Sequence, residues 1–406
     1  MKLKLHKKLF LGIILLLCIN LFIFGSIIVK SKTSILQEIP KNISLEEHAA
    51  RILALCKSLE YRPGCYDKTI PELMNVLSME EAFAVTQIVQ SKDKTFPYCH
   101  VLGHELSASE VKKDPDNWKN VVSRCPSGQC SNGCIHGGFQ ERFRKESFST
   151  QAEIDNIKPD LKTICEQRKD WNPTGLEQGS CYHALGHLTM YVTEADIDKS
   201  LILCNEIALK DDGRDLRQVC YDGVFMQMFQ PLEPEDFALI RGKELTKNTV
   251  KKFCSDYDPL AQASCISESW PLFSQEVKTP DGLIKHCSQI PDIGLQNRCY
   301  SSLFYILTVQ FNFDSDKIEM FCKQLPGEIK NMCYANTAAR FIETDYRNAQ
   351  EAISLCQRAN TNEAKDACFN ELITYSTFNY HPDSNEAKNI CQNLPEPWQL
   401  HCLQQL

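Results

Sequence analysis

Between Ser315 and Thr344 the apolar side chains recur with helical spacing. Ile318, Phe321, Cys322 and Leu325 fall at i, i+3, i+4 and i+7, which places them on one face of a short helix. Pro326 and Gly327 interrupt that face. A second periodic run follows, with Ile329, Met332 and Cys333 on one side and Ala338, Ala339, Phe341 and Ile342 beyond. The predicted unit is helix, turn, helix. Far upstream, Ser44 and Glu47 stand in the Ser-x-x-Glu spacing of a capping box, so folded structure is expected to begin there. Residues 30–43 read as a polar linker, and Leu9–Val29 is an uncharged apolar run preceded by Lys2, Lys4, Lys7 and Lys8.

The cysteines turn this unit into a repeat. Cys65, Cys99, Cys134, Cys181, Cys220, Cys265, Cys299, Cys333, Cys368 and Cys402 follow one another at intervals of 34, 35, 47, 39, 45, 34, 34, 35 and 34 residues. All but Cys99 have an upstream companion, which predicts the pairs Cys56/Cys65, Cys125/Cys134, Cys165/Cys181, Cys204/Cys220, Cys254/Cys265, Cys287/Cys299, Cys322/Cys333, Cys356/Cys368 and Cys391/Cys402. Cys99 and Cys130 are assigned to each other by elimination. Each staple ties the end of one helix to the start of the next, and closing such a loop stabilises by about 2–3 kcal/mol in the chain-entropy account. A two-helix period of 34 residues is that of tetratricopeptide-like arrays, although their Trp, Leu-Gly and Tyr signature is missing. The likeness is one of architecture. The expected fold is all-α: an α-solenoid of about ten stapled helical hairpins over residues 44–406, following one N-terminal transmembrane helix.

Composition and charge then set the compartment. Leu9–Val29 is long enough to cross a bilayer, which needs about 20 apolar residues, and it lacks the small residues of a cleavage site. It reads as a signal anchor. Residues 1–8 would be a basic cytoplasmic tail, and the bulk of the chain would lie outside the cytoplasm. Of the 21 cysteines only Cys18 falls in the anchor, and Leu15, Leu16 and Leu17 before it do not form a lipoprotein signal. The disulfide ladder independently requires an oxidising compartment. The chain carries a formal net charge of −8, and residues 1–32 hold only basic charges, so the remainder is more acidic still. Nucleic acid is excluded as a partner on that ground.

The repeats are not equivalent. Repeats two to five begin their second helix with Cys99-His100-Val101-Leu102-Gly103-His104, Cys134-Ile135-His136-Gly137-Gly138, Cys181-Tyr182-His183-Ala184-Leu185-Gly186-His187 and Cys220-Tyr221-Asp222-Gly223. Repeats six to ten carry Ser267, Ser301, Ala335, Asn370 and Gln404 two residues after the cysteine. Histidines at i and i+4 lie on one helix face, turned away from the staple, so His100 with His104 and His183 with His187 could each share an ion. His136 and Asp222 hold the corresponding first position on repeats three and five. Glycine inside a helix costs about 1 kcal/mol relative to alanine, so Gly103 and Gly186 call for close helix approach or room for a ligand.

This pattern predicts a metal site formed by His100, His104, His136, His183, His187 and Asp222. Imidazoles suit zinc, iron, copper and nickel, and a carboxylate adds to the preference for zinc or iron, the ions expected here. The His-Glu-x-x-His order of zincins is not met, because Glu105 follows the second histidine. Cys130 to His136 does not have the Cys-x-x-Cys-His order of haem attachment. With an open coordination position such a site would support metal-assisted hydrolysis or oxidation, and Glu105, Glu141 and Tyr182 are the candidates for moving protons. The competing reading is a metal-free solenoid scaffold whose groove binds a protein or peptide. Met226 reads as core rather than as a copper ligand. His286, His381 and His401 read as surface or helix-terminal residues. The aromatic residue after the cysteine recurs in both kinds of repeat, as Tyr66, Tyr182, Tyr221, Tyr300, Tyr334 and Phe369, and so reads as structural.

Overall fold

Helix formation starts where the capping box places it. Ser44 Oγ accepts from the Glu47 N–H and the Glu47 carboxylate accepts from the Ser44 N–H, which satisfies two backbone donors otherwise left open at a helix start. The same device recurs at Ser78 with Glu81, Thr150 with Glu153 and Thr174 with Glu177. The structure is a computed structural model that describes residues 39–40, 42–143, 150–231 and 234–406. Those residues form helices and no strand. The apolar run Leu9–Val29 and its basic tail lie outside them. Among the described residues no helix is long and apolar enough to cross a membrane.

The helices follow in pairs. In chain order they are α1 (Leu45–Cys56), α2 (Arg62–Thr69), α3 (Met79–Lys92), α4 (His100–Lys113), α5 (Trp118–Ser123), α6 (Gly133–Phe143), α7 (Gln151–Thr163), α8 (Gly175–Val192), α9 (Ile197–Ala208) and α10 (Arg217–Phe229). The second half continues with α11 (Pro234–Leu239), α12 (Val250–Cys254), α13 (Pro259–Glu268), α14 (Pro280–Cys287), α15 (Ile293–Gln310), α16 (Ser315–Lys323), α17 (Gly327–Thr344), α18 (Ala349–Gln357), α19 (Asn362–Asn379), α20 (Asn385–Asn393) and α21 (Trp398–Leu403). The break expected at Pro326 and Gly327 separates α16 from α17, with Gly327 at φ +45°.

All ten expected disulfides are present, nine joining successive helices and one joining Cys99 to Cys130. Where an aromatic residue follows the second cysteine it is buried, from Tyr66 to Phe369. Where it is tyrosine, its hydroxyl often reaches a polar group outside its own helix. Tyr66 donates to Asp93, Tyr182 to Glu166 and Tyr221 to Asn205. The structural reading of these rings therefore holds. His286 is helix-terminal, in the last turn of α14, but not a surface residue: it is only 3 % exposed, because Nε2 is 2.9 Å from the Ile266 carbonyl and the ring packs on Phe273.

Ser44–Leu406 forms one unit, and its later repeats reach back to earlier ones. Helix α19 touches α8, and α17 touches the short 3₁₀ turn Cys130–Asn132. The Arg340 guanidinium lies over the Tyr98 ring, and a cleft between the halves is lined by Tyr61, Arg62, Phe96, Asn312 and Phe313.

Candidate metal centre

Glycines bring the histidine-bearing helices into backbone contact. A Cβ on Gly186 would stand 2.0 Å from the Cys220 carbonyl oxygen and 2.8 Å from Gly223 Cα, so α8 and α10 cross with nothing between them. Helices α4 and α6 meet in the same way, and a Cβ on Gly137 would lie 2.2 Å from the His104 carbonyl oxygen. Close approach is thus the reason for these glycines. It sets the side chains flanking each crossing within reach of one another.

Five histidines converge as a result. His100 and His104 Nε2 are 3.1 Å apart, and His183 and His187 Nε2 are 3.2 Å apart. His136 lies between the pairs, with ring centroids 5.1 and 5.3 Å from His100 and His104 and 5.3 and 5.9 Å from His183 and His187. His100, His104 and His136 each offer a nitrogen, all within 4.8 Å of one another. His100, His104, His136 and His187 retain 9, 6, 6 and 8 % exposure, so solvent does not separate them.

The other ring nitrogens assign the tautomers. His100 Nδ1 is 3.2 Å from the carbonyls of both Cys130 and Ser131, and His104 Nδ1 is 3.0 Å from Gln140 Oε1. His187 Nδ1 is 2.7 Å from Gln227 Oε1, and His183 is hydrogen-bonded to the Val219 carbonyl. Each of these oxygens accepts, so Nδ1 carries the proton in His100, His104 and His187; in His183, whose Nε2 faces His187 and Met226, the bond to Val219 assigns it to Nδ1 as well, and each Nε2 presents a lone pair. His136 is reversed: its Nε2 donates to the Ser180 carbonyl over 3.1 Å, which leaves Nδ1 as its ligand atom. Two facing lone pairs at 3.1 Å repel unless a cation lies between them. Two imidazole nitrogens on one tetrahedral zinc ion, each at about 2.0–2.1 Å, stand about 3.3–3.4 Å apart, close to what both pairs show. Histidines that bind metals donate their second N–H to carbonyl oxygens in this manner.

Electrostatics favour the neutral, ligating form. Burial, then the Arg340 charge, lowers His100 to about 4. Burial also holds His136 and His183 well below the usual imidazole range, with the neighbouring imidazoles adding to it, and it lowers His187 as well. The carbonyls that orient His100 come from a turn in which Cys130, Ser131 and Asn132 have φ of 48°, 50° and 57°. Left-handed backbone at non-glycine residues costs roughly 1–2 kcal/mol each. The Cys99–Cys130 bond ties this turn to the start of α4.

The other expected site residues lie elsewhere. Asp222 is hydrogen-bonded to Ser264 and interacts with Glu268 and Arg298, and burial raises it to about 6. It sits one turn before Met226 on α10, whose Sδ is 3.2 Å from His183 Nε2. Tyr182 donates to Glu166, Glu141 pairs with Lys112 over 3.5 Å, and Glu105 acts electrostatically on Asp67. Gln140 and Gln227, which orient two of the five rings, were not expected as site residues. Their signal was position alone, six and seven residues after the staple cysteine of an adjacent repeat.

Comparison with protein-family models, with curated proteins and with solved structures finds no match. The functional reading rests on the site itself.

Proposed function

We propose that this chain is a metal-binding protein of an oxidising, extracytoplasmic compartment, and that His100, His104 and His136 hold a divalent ion, zinc before iron. The observation that carries this is the pair of unprotonated Nε2 atoms 3.1 Å apart on His100 and His104, each ring fixed through its Nδ1–H. An all-imidazole set suits zinc, whereas iron would gain from a carboxylate, and Asp222 is engaged with Ser264. Three protein ligands leave a coordination position open, and an ion so held supplies the Lewis acidity for metal-assisted hydrolysis or oxidation. The burial of these rings favours an ion over a peptide as their occupant. The regular staples support an α-solenoid of about ten tetratricopeptide-like hairpins, and the apolar run Leu9–Val29 supports a single anchoring span with the N-terminus in the cytoplasm.

Elemental analysis of the purified full-length chain tests the reading. A stoichiometric ion lost on His104→Ala, with helicity and disulfides retained, supports it. A chain that takes up no zinc or iron at equimolar concentration removes it.

A further inference from the structure

The second histidine pair differs from the first in one neighbour. Where His104 and His100 are approached by His136, His183 Nε2 also faces a sulfur, Met226 Sδ, at 3.2 Å. A thioether has no proton to give. The Val219 carbonyl accepts from His183, whose Nε2 already faces His187 and Met226, which assigns the His183 proton to Nδ1; His187 Nδ1 lies 2.7 Å from Gln227 Oε1 and carries its own. Three electron-pair donors, two nitrogens and one sulfur, therefore meet with no hydrogen available to any of the contacts between them. Packing alone does not account for this, since a core methionine would gain more from the apolar side of α10, where Val224, Phe225 and Met228 are buried.

We propose that His183, His187 and Met226 form a second metal subsite, beside the histidine triad, that takes monovalent copper. The sulfur is what selects the ion. Thioether and imidazole together suit soft, monovalent copper, whereas zinc and iron gain little from a neutral thioether. The location fits a separate ion. His136 stacks on His183 with planes 19° apart, so its flat face rather than its nitrogen edge is turned to that ring, while one of its ring nitrogens lies within 4.8 Å of ligand atoms of His100 and His104. The chain thus carries two subsites of unlike softness on adjacent helix pairs, α4 with α6 and α8 with α10. The inference rests on the reading of the five histidines as metal ligands, but it concerns a different ion and a different residue.

The test uses the full-length chain in detergent, titrated separately with zinc and, under ascorbate, with copper held by a competing chelator. The wild-type chain should take one equivalent of each ion without mutual displacement, and copper K-edge absorption should show a sulfur scatterer. Met226→Leu, which keeps the volume, should weaken monovalent copper by about 10-fold or more, since even outer-shell partners act on that scale. It should lose the sulfur signal and keep zinc. Met226→His should restore a tight site but move its preference toward divalent ions. His104→Ala should do the reverse, losing zinc and keeping copper. Unchanged copper affinity and spectrum in Met226→Leu would overturn the subsite while leaving the triad standing. Copper binding with neither zinc nor iron binding would instead remove the triad reading and leave this one. Uptake of neither ion by the wild-type chain would remove both.

Discussion

His136 stacks on His183 with centroids 5.3 Å apart, although the two rings come from helices of different repeats, and through this contact the two histidine pairs become one cluster. The backbone carbonyl of Ser180, three residues before His183 on the same helix, accepts the His136 Nε2–H and so sets the angle of the stack. The centre is thus organised from its middle outward.

The acceptors behind the rings should matter almost as much as the rings. Gln140→Leu and Gln227→Leu each remove the oxygen that holds a histidine tautomer, and each should weaken metal binding by about 10- to 100-fold with little change in thermal stability. Competition titration with a chromophoric chelator measures this. His381→Ala, whose side chain bonds none of the five rings, should leave affinity unchanged.

Helix approach gives a second prediction. Gly186→Ala puts a methyl group 2.0 Å from the Cys220 carbonyl oxygen, so α8 and α10 must part, at a cost of about 1–3 kcal/mol or more. Gly179→Ala on the same helix meets nothing within 4 Å and should stabilise by up to about 1 kcal/mol. Paired denaturant titrations should show opposite signs, and only Gly186→Ala should reduce metal affinity.

The Cys99–Cys130 bond has a local task as well as a chain-entropy one. Replacing both cysteines by alanine should free the left-handed turn that turns its carbonyls toward His100, and metal affinity should fall. The same replacement at Cys391 and Cys402, a staple that orients no histidine, should lower stability by about 2–3 kcal/mol while the folded chain keeps its affinity. Non-reducing peptide mapping of the wild-type chain should return all ten bonds.

Much of this was readable from residue order. The staples were, because a disulfide at a helical turn imposes a short, regular spacing on two cysteines, and the i, i+4 histidines were, because one helix face is defined by count alone. Gln140 and Gln227 were not, since a glutamine becomes an orienting acceptor only when another helix brings a ring to it. Met226 looked like core because apolar periodicity cannot distinguish a sulfur that packs from one that faces a nitrogen. Asp222 failed to join the histidines because its helix position is shared with theirs but its neighbour, Ser264, comes from the next repeat. His286 was legible as surface or helix-terminal but not as buried, because nothing local announces the Ile266 carbonyl.

That histidine gives a pH prediction. Burial lowers His286 from 6.5 to about 4, its Nε2–H is given to Ile266, and its Nδ1 has no partner. The unfolded chain therefore binds this proton more readily than the folded one between those values. Stability should be complete above about pH 6.5 and fall as the pH drops toward 4, by roughly 1.4 kcal/mol per pH unit for each such group. His286→Gln keeps a donor for Ile266 and should flatten part of that slope in urea titrations taken across the range.

Tyr380 lies against Gly128 and Phe378 against Gly175, so side chains near the C-terminus rest on the repeats that carry the histidines. An open array of hairpins can fray from either end and lose its units one at a time. Here the terminal hairpins are part of the wall around α8, and fraying them would uncover the ligands. Unfolding of the ninth repeat and loss of the ion should accordingly occur in one transition, because that repeat packs on the helices whose histidines hold the metal.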